Sequence, residues 1–578
     1  MSLNRLRSWL DVCTSTHPAC ASINVSVPSR LVDVNEVYKN GIPGVRLVET
    51  VPGEKGTYAC LSHCWGLTPI MCCTTRATLQ DRLDFIEFDF LPRNFRDAIA
   101  LARGIGLRLI WVDSLCIIQD DGADWEVESA KMAGIYRNAY LTIAATSSAD
   151  STGGCFSSTT PDLCFSIDRG DGSSYVVGAR MCDKAARLSW NRTAVKERLP
   201  LLERGWVFQE RLLSRRVLHC MYGELAFECL EGSTCECEGR SLPPHPPPKL
   251  MAQLVMALKP THHQLMARAS GSQNGPPNST DASYQWRQMV VRYMTLSLTK
   301  NTDILPAISG CARIVQGWTG DDYCAGMRKR TLHYELLWCI QSKNALGRTE
   351  CWTAPSWSWA SIPPGQKLHF LDFGSTNPSS YVNFLQSSIR SVKIESDSRN
   401  DLGAVKSGRL EISARILPCF IRRYCHDMMG HISGRDSSAR YRLHVPSSSL
   451  GRRAPGLEDT CCEADALATE SRLDLRGGAM EFLNDEPPGD IFNFESLTQC
   501  KGCALARAWL MHAAHKESQG RCVDAFIVLA EERRVRGPGG FERAGMALFT
   551  GHGGADRRRW FDDVWEIEAS PDTIVTIV

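Results

Sequence analysis

The pattern of apolar and polar positions between residues 57 and 230 alternates short apolar runs with amphipathic segments. The short runs are rich in branched and aromatic residues, which is typical of buried strands, whereas apolar positions three to four residues apart are typical of helices. Strands are predicted over 57–65, 107–113, 139–147, 215–221 and 224–230, and helices over 91–104, 124–139 and 203–214. This alternation favours an α/β unit with a mostly parallel sheet that is covered on both faces.

Composition divides the rest of the chain into four parts. A lead-in over 1–56 precedes the α/β unit, and residues 231–283 are rich in Pro, Gly and Ser, which is typical of a linker. Residues 284–365 have a mainly helical pattern. Residues 366–578 alternate like strands and contain a polar insertion near 430–490. We therefore expect a helical segment and then a β-rich C-terminal region after the α/β unit.

The composition excludes several classes of protein. The 65 Lys and Arg residues balance 64 Asp and Glu residues, so the net charge of +1 lacks the basic excess of a nucleic-acid-binding protein. No run approaches the roughly 20 apolar residues of a membrane-spanning helix, and the first residues do not resemble a signal peptide. The 25 cysteines among 578 residues are too sparse for a disulfide scaffold. We therefore expect a cytoplasmic protein with mostly buried thiols.

One carboxylate on the helix predicted over 124–139 points toward the core. When this helix is projected at about 100° per residue, Glu128 falls between Met132 and Ile135, on the face that also carries Trp125. A buried carboxylate must be paired or neutralised. One interpretation is an ion pair with an arginine, and the other is an acid, base or ligand-binding group in a cleft. The candidate arginines are Arg96, Arg204 and Arg211.

Two further carboxylates stand near predicted strand and helix ends. Asp113 ends the strand predicted over 107–113, and ligands of open α/β sheets bind at the carboxyl ends of strands. Asp113 therefore favours the ligand-binding interpretation of Glu128, whose helix begins shortly afterwards. Glu210 shares a helix face with Trp206 and Leu213, and we interpret it as an ion-pair or helix-surface residue.

The N-terminal motif CxxxHxxC brings three metal-ligating residue types together. Cys13, His17 and Cys20 are side chains of the kind that zinc binds. A structural zinc site needs four ligands, and the sequence offers no convincing fourth one beside this triplet, although Cys235 and Cys237 are candidates. We therefore expect buried thiols and no metal.

Cys116 and His63 are candidates for nucleophilic catalysis. A Cys–His pair needs its two side chains within hydrogen-bond reach. The apolar neighbours of Cys116 in the sequence DSLCIIQ favour a packed thiol instead.

Four segments of this chain resemble the heterokaryon incompatibility (HET) domain of filamentous fungi. Both the letters and the order of the segments fit, and the resemblance covers about residues 57–213. In LPRNFRDAI the chain has Asn94 where the family has threonine or serine, and asparagine also caps helices. The segments are YACLSHCWG (58–66), LPRNFRDAI (91–99), LIWVDSLCIIQDDGADWEVESAKMAGIYRNAYLTIAATSS (109–148) and ERGWVFQERLLSRRVL (203–218).

The resemblance implies a role in non-self recognition between fused fungal cells that ends in programmed cell death. It implies a signalling or effector module that self-associates or binds protein partners through the HET domain. The resemblance implies no particular cofactor.

The resemblance also implies a flavodoxin- or TIR-like architecture. Some TIR domains cleave NAD at the nicotinamide–ribose bond with a glutamate on the helix after the third strand, and Glu128 lies on the corresponding helix. By this analogy the chain is a candidate NAD glycohydrolase with NAD as its substrate. Glu128 would be the catalytic carboxylate, and the residues around the substrate would be Ser62, Asp113, Ser114 and Trp125.

Overall fold

The computed structural model of the chain describes residues 2–21, 25–66, 72–156, 163–168, 173–179, 199–236, 279–340, 351–370, 387–397, 400–423, 441–444, 504–518, 521–531, 540–552 and 573–577. Two compact units are present. The first comprises Met1–Pro277 and Pro306–Trp318, and the second comprises Asn278–Leu305 and Thr319–Val578.

The helices and strands of both units are numbered in chain order. The α-helices are α1 (Ser2–Thr16), α2 (Leu79–Asp84), α3 (Arg93–Gly104), α4 (Asp113–Cys116), α5 (Gly122–Asn138), α6 (Gly205–Leu213), α7 (Ser279–Tyr293), α8 (Ser309–Thr319) and α9 (Leu332–Glu335). The strands of the first unit are β1 (Arg30–Lys39), β2 (Ile42–Glu49), β3 (Tyr58–Ser62), β4 (Ile86–Glu87), β5 (Leu109–Trp111), β6 (Leu141–Ala144), β7 (Leu163–Asp168), β8 (Ser174–Ala179), β9 (Arg216–Met221), β10 (Glu224–Cys229) and β11 (Ser233–Cys235). Those of the second unit are β12 (Tyr323–Cys324), β13 (Met327–Arg328), β14 (Trp338–Ile340), β15 (Leu368–Phe370), β16 (Ser387–Ser396), β17 (Val405–Ala414), β18 (Ile416–Arg423), β19 (Tyr441–His444), β20 (Ala504–Ser518), β21 (Arg521–Glu531), β22 (Gly540–His552) and β23 (Thr573–Ile577).

A mixed sheet forms the centre of the first unit. Among the described residues it has nine strands, in the order β11-β10-β9-β6-β3-β5-β1-β2-β4. The four central strands β9, β6, β3 and β5 are parallel, and the strands on both flanks are antiparallel. The α/β class is therefore confirmed, but the sheet is parallel only at its centre.

The antiparallel flanks combine hairpins with the pairings of β1 with β5 and of β2 with β4, which join segments far apart in the sequence. The segment predicted as a lead-in contributes β1 and β2 to the sheet, and the short connections between β9, β10 and β11 build the other flank. Strands joined by short turns pair antiparallel, whereas parallel neighbours need a longer crossover such as α3 or α5.

Buried apolar residues fill both faces of the central strands. All five residues of β3 are buried, because parallel neighbours and covering helices enclose this strand on every side. On α5 the predicted inner face is confirmed, since Glu128, Met132, Ile135 and Tyr136 are its buried residues. Asp121 is the N-cap residue before this helix, and its carboxylate accepts hydrogen bonds from the backbone N–H groups of Ala123 and Asp124.

Asn94 holds a loop in place instead of capping α3. The residue at the N-terminal cap is Pro92, and no side chain caps this helix. Asn94 is fully buried in the first turn, where its amide donates to the carbonyl of Asp150 (2.9 Å) and accepts from the N–H of Gly154 (2.6 Å). The expected capping role was therefore wrong, and the side chain fastens the loop that follows β6.

The second unit contains a separate sheet. Eight of its described strands follow the order β16-β17-β23-β22-β21-β20-β18-β19, and the pair β22–β23 is parallel. The segment predicted as mainly helical supplies α7, α9 and short strand pairs, and it buries Trp357 and Trp359 completely. Most of the predicted linker, and the polar insertion apart from β19, lie outside the described residues.

In the part of the chain that the structure describes, no helix combines the length and the apolar character needed to cross a lipid bilayer.

Candidate functional site

Polar residues follow the neighbouring parallel strands β3 and β5. Ser62 ends β3 and His63 follows it, while Asp113 begins α4 just beyond β5. Asp113 accepts hydrogen bonds from Trp65 Nε1 (2.8 Å) and from the backbone N–H of Ser114 (2.7 Å). His63 Nδ1 lies 3.7 Å from Asp113 Oδ1. The ends of the two strands thus place an imidazole and a carboxylate side by side.

Glu210 of α6 joins this group from the neighbouring layer. Its carboxyl group is buried, and its Oε2 accepts a hydrogen bond from Ser62 Oγ (2.5 Å). Burial raises the pKa of Glu210 to about 7; the charge of Asp113 adds to the increase, while the Ser62 hydrogen bond and the charge of Arg204 oppose it. We refer to Ser62, His63, Asp113 and Glu210 as the edge cluster.

Two buried polar atoms in or beside the edge cluster have no hydrogen-bond partner among the described residues. They are His63 Nε2 and Ser114 Oγ, and both residues are at most 5% exposed. Burial lowers the pKa of His63, against the opposing effect of Asp113, so the neutral imidazole is favoured. Unpaired buried polar atoms are uncommon in native proteins, and functional sites are one place where they occur.

The edge cluster can exchange a proton near neutral pH. A carboxyl group with a pKa of about 7 is partly protonated at pH 7, so Glu210 can both donate and accept a proton. Asp113 offers a second carboxylate in a more polar setting, since it accepts hydrogen bonds from Trp65 and Ser114. Two carboxyl groups in different environments are the usual basis for a division between acid and base roles.

Comparison with known families decides the identity of this region. Residues 58–210 match the model of the family described as heterokaryon incompatibility protein (HET). The chain contains a HET domain. The matched range includes every residue of the edge cluster and ends at Glu210. No curated protein and no solved structure matches the chain.

Glu128 lies elsewhere in the HET domain fold, on the inner face of α5. Its side chain is buried as expected, and Oε1 accepts hydrogen bonds from Lys131 Nζ (2.8 Å) and from Ser29 Oγ (2.9 Å). Lys131 itself is about half exposed, so the ion pair reaches the surface. The other oxygen, Oε2, has no partner among the described residues. The structure therefore pairs Glu128 with Lys131 and Ser29, not with Ser62 or Asp113.

The three arginines considered as partners of Glu128 bind other groups. Arg96 pairs with Asp89, and Arg204 donates to the backbone carbonyl of His63. Arg211 forms a bidentate ion pair with Glu228, at 2.6 and 2.8 Å, in the first unit. The expected arginine pairing was therefore wrong, because Lys131, one helical turn from Glu128, is close enough to reach back.

Trp125 lies at the surface of α5, where 36% of it is exposed. Its ring meets that of Trp206 edge to face, with the ring centroids 6.5 Å apart. The helix projection placed Trp125 on the same face as the buried Glu128, but its exposure shows that this face is only partly covered at the first turn of α5. Trp111, in contrast, is fully buried as predicted. The Trp125–Trp206 pair joins α5 to α6 one turn before Glu210.

Cys116 and His63 do not form a catalytic pair. The Cys116 thiol is buried and contacts the backbone N–H of Val112, while the imidazole of His63 faces Asp113 and the ring of Phe95. Burial raises the pKa of Cys116 to about 12, so the thiol stays protonated at neutral pH.

Sequence reasoning identified three of the residues at this edge but not its key acid. Asp113 was found because it ends a predicted strand, and Ser62 and Ser114 were named through the analogy with TIR domains. Glu210 was seen only as an ion-pair or surface residue. Its signal was a carboxylate on an otherwise apolar helix face. Among the described residues, the side chains that lie close enough together to share a metal ion are those of Cys13, His17, Cys20 and Cys229, which lie outside the edge cluster.

Proposed function

We propose that this chain is an effector of heterokaryon incompatibility, which acts in the cytoplasm of fused fungal cells and leads to their programmed death. The HET domain would be the signalling module and would bind protein partners or further copies of the chain. The β-rich C-terminal region would regulate it or take part in recognition.

The edge cluster is the observation that carries this proposal. A HET domain that only provided a scaffold would have no need of a buried, uncompensated carboxyl group, because such a group opposes folding above its pKa. Glu210 has no ion pair with a cation among the described residues, and its direct partners are hydroxyl groups. A group retained in this environment is a candidate for function.

Induced expression in a filamentous fungus tests the effector role. We expect wild-type protein to reduce hyphal viability, measured by exclusion of a vital dye, and Asp113→Asn to abolish this effect. Asp322→Asn serves as the matched control, since Asp322 is an exposed residue of the second unit. Equal toxicity of Asp113→Asn and wild type, or no toxicity of the wild type, would contradict the proposal.

A second candidate function is hydrolysis of NAD at the nicotinamide–ribose bond. When the parallel strands β3, β5, β6 and β9 are numbered 1 to 4 in chain order, their order across the sheet is 2-1-3-4, as in flavodoxin-like sheets. Ligands of such sheets bind at the carboxyl ends of the strands. Nicotinamide would leave with the bonding electrons, and a carboxylate would stabilise the positive charge that develops on the ribose before water adds. The contacts favour Glu210 for this role, while the resemblance to TIR domains favours Glu128.

Loss of NAD from solution tests this second function. Purified full-length protein would be incubated with NAD, with and without a crowding agent that promotes assembly. The account expects Glu210→Gln to abolish NAD loss and Glu128→Gln to leave most of it. The reverse order would assign the reaction to Glu128, and no loss with wild-type protein in any condition would exclude the hydrolase.

A further inference from the structure

Four potential metal ligands meet at one point of the first unit, outside the matched HET range. The sulfur atoms of Cys13, Cys20 and Cys229 and a ring nitrogen of His17 all lie within 4.8 Å of one another. His17 Nδ1 and Cys229 Sγ are 3.2 Å apart. Tetrahedral zinc, with bonds of about 2.0–2.3 Å, separates its ligand atoms by roughly 3.3–3.8 Å, so small side-chain movements would complete the geometry. We propose that these four residues bind one zinc ion as a structural Cys₃His site.

The fold supplies the fourth ligand that the sequence did not reveal. Cys13 lies in the last turn of α1, and the backbone bonds His17 N–H to Cys13 O and Cys20 N–H to His17 O hold the triplet in a tight turn. Cys229 is the last residue of β10 and reaches the triplet from the sheet. Cys235 instead packs in a second apolar cluster, and Cys237 lies outside the described residues.

A buried arginine beside the four ligands favours a negative charge on the ligand cluster. Arg216 is 1% exposed, and no carboxylate in the described part of the chain lies within ion-pair distance of it. Its Nε contacts Cys13 Sγ at 3.2 Å, and its other nitrogens donate to the carbonyls of Cys20 and Tyr140. Three thiolates and one Zn²⁺ carry a net charge of −1, which the guanidinium would balance.

Neighbouring backbone groups fit a thiolate-rich centre. Glu231 N–H points at Cys229 Sγ (3.5 Å), and the Glu231 carboxylate accepts a hydrogen bond from Ala19 N–H (2.6 Å). These contacts tie the two ligand-bearing segments together and orient the sulfur, as groups around metal ligands do. Cys13 and Cys20 are buried, while His17 and Cys229 are half-buried. Four protein ligands leave no open position, so the site would be structural and would fasten α1 to the β9–β10 hairpin.

Elemental analysis of the full-length protein tests this site. Protein produced with zinc and purified under reducing conditions is expected to contain one zinc ion per chain. Cys229→Ser and Cys13→Ser are expected to lose it. Two matched controls, Cys164→Ser at an exposed free cysteine and Cys500→Ser in the separate CxxC motif of the sequence, are expected to keep it.

Cobalt substitution tests the same site by absorption spectroscopy of the wild-type protein, so the result does not depend on whether the serine variants fold. The wild type is expected to show the thiolate-to-cobalt charge-transfer band and the intense ligand-field bands of tetrahedral coordination. His17→Cys should retain the metal and shift these bands, because one nitrogen ligand is replaced by sulfur.

Three results would overturn the inference. The first is metal-free wild-type protein without cobalt bands. The second is zinc that persists in folded Cys229→Ser protein or disappears from Cys500→Ser protein. The third is mass spectrometry of anaerobically purified protein that finds a disulfide between two of the three cysteines.

Discussion

Glu210→Gln should change how the stability of the first unit depends on pH. The carboxyl group has an ordinary pKa of 4.5 and a pKa of about 7 in the folded protein, so the folded state holds the proton more tightly. For a raised carboxyl pKa, stability is highest while both states are protonated and falls as pH rises toward the folded pKa. This difference corresponds to about 3 kcal/mol lost between about pH 5 and pH 7.

The variant removes this loss because glutamine does not titrate. Its amide oxygen can still accept the hydrogen bond from Ser62. Relative to wild type, Glu210→Gln should therefore gain stability with rising pH, from little difference near pH 5 to about 3 kcal/mol near pH 8. The histidines His63 and His219 titrate in both proteins, so most of their contribution cancels in the comparison.

Hydrogen exchange read by mass spectrometry separates the two units. Peptides from β3 and α6 report on the first unit and should show the pH-dependent gain in protection. Glu335→Gln is the matched control, because Glu335 is also buried with a pKa of about 7 but belongs to the second unit. A stability difference for Glu210→Gln that does not change between pH 5 and 8 would refute the reasoning.

Three further predictions concern the contacts around the sheet. Glu228→Gln leaves the buried Arg211 without its bidentate partner and should destabilise the first unit by about 3–5 kcal/mol in denaturant titrations. Asn94→Ala removes the hydrogen bonds that hold the loop after β6; it should lower stability by about 2–4 kcal/mol and speed limited proteolysis of that loop. Iodoacetamide at pH 8 should modify the exposed Cys164 and spare Cys116, as peptide mass spectrometry can show; equal labelling in native protein would contradict the burial described.

Local periodicity predicted the central layer of the first unit well. The helices predicted over 91–104, 124–139 and 203–214 correspond to α3, α5 and α6, and each neighbouring apolar run became a strand. These elements could be predicted from the sequence because burial of one face gives each helix or strand its own regular spacing of apolar residues. The antiparallel flanks could not be predicted in this way, since the pairing of β1 with β5 depends on tertiary contacts between segments far apart in the sequence.

The candidate site shows where this reasoning reaches its limit. Periodicity indicated that Glu128 is buried, but it could not indicate that Lys131 would bend back to pair with it. Glu210 gave the same kind of signal, and only the packing of α6 beside the end of β3 shows that its partner is the hydroxyl of Ser62. In the same way, Cys229 meets the N-terminal triplet only through the fold.

The central claim is that the HET domain acts through the edge cluster around Glu210. The most direct measurement is hyphal viability after induced expression of Glu210→Gln beside Glu335→Gln, at equal protein accumulation in the same strain. The two variants remove buried carboxyl groups with a similar pKa from different units. The account predicts that Glu210→Gln leaves the hyphae alive while Glu335→Gln kills them as the wild type does. Killing by Glu210→Gln at wild-type strength would contradict it.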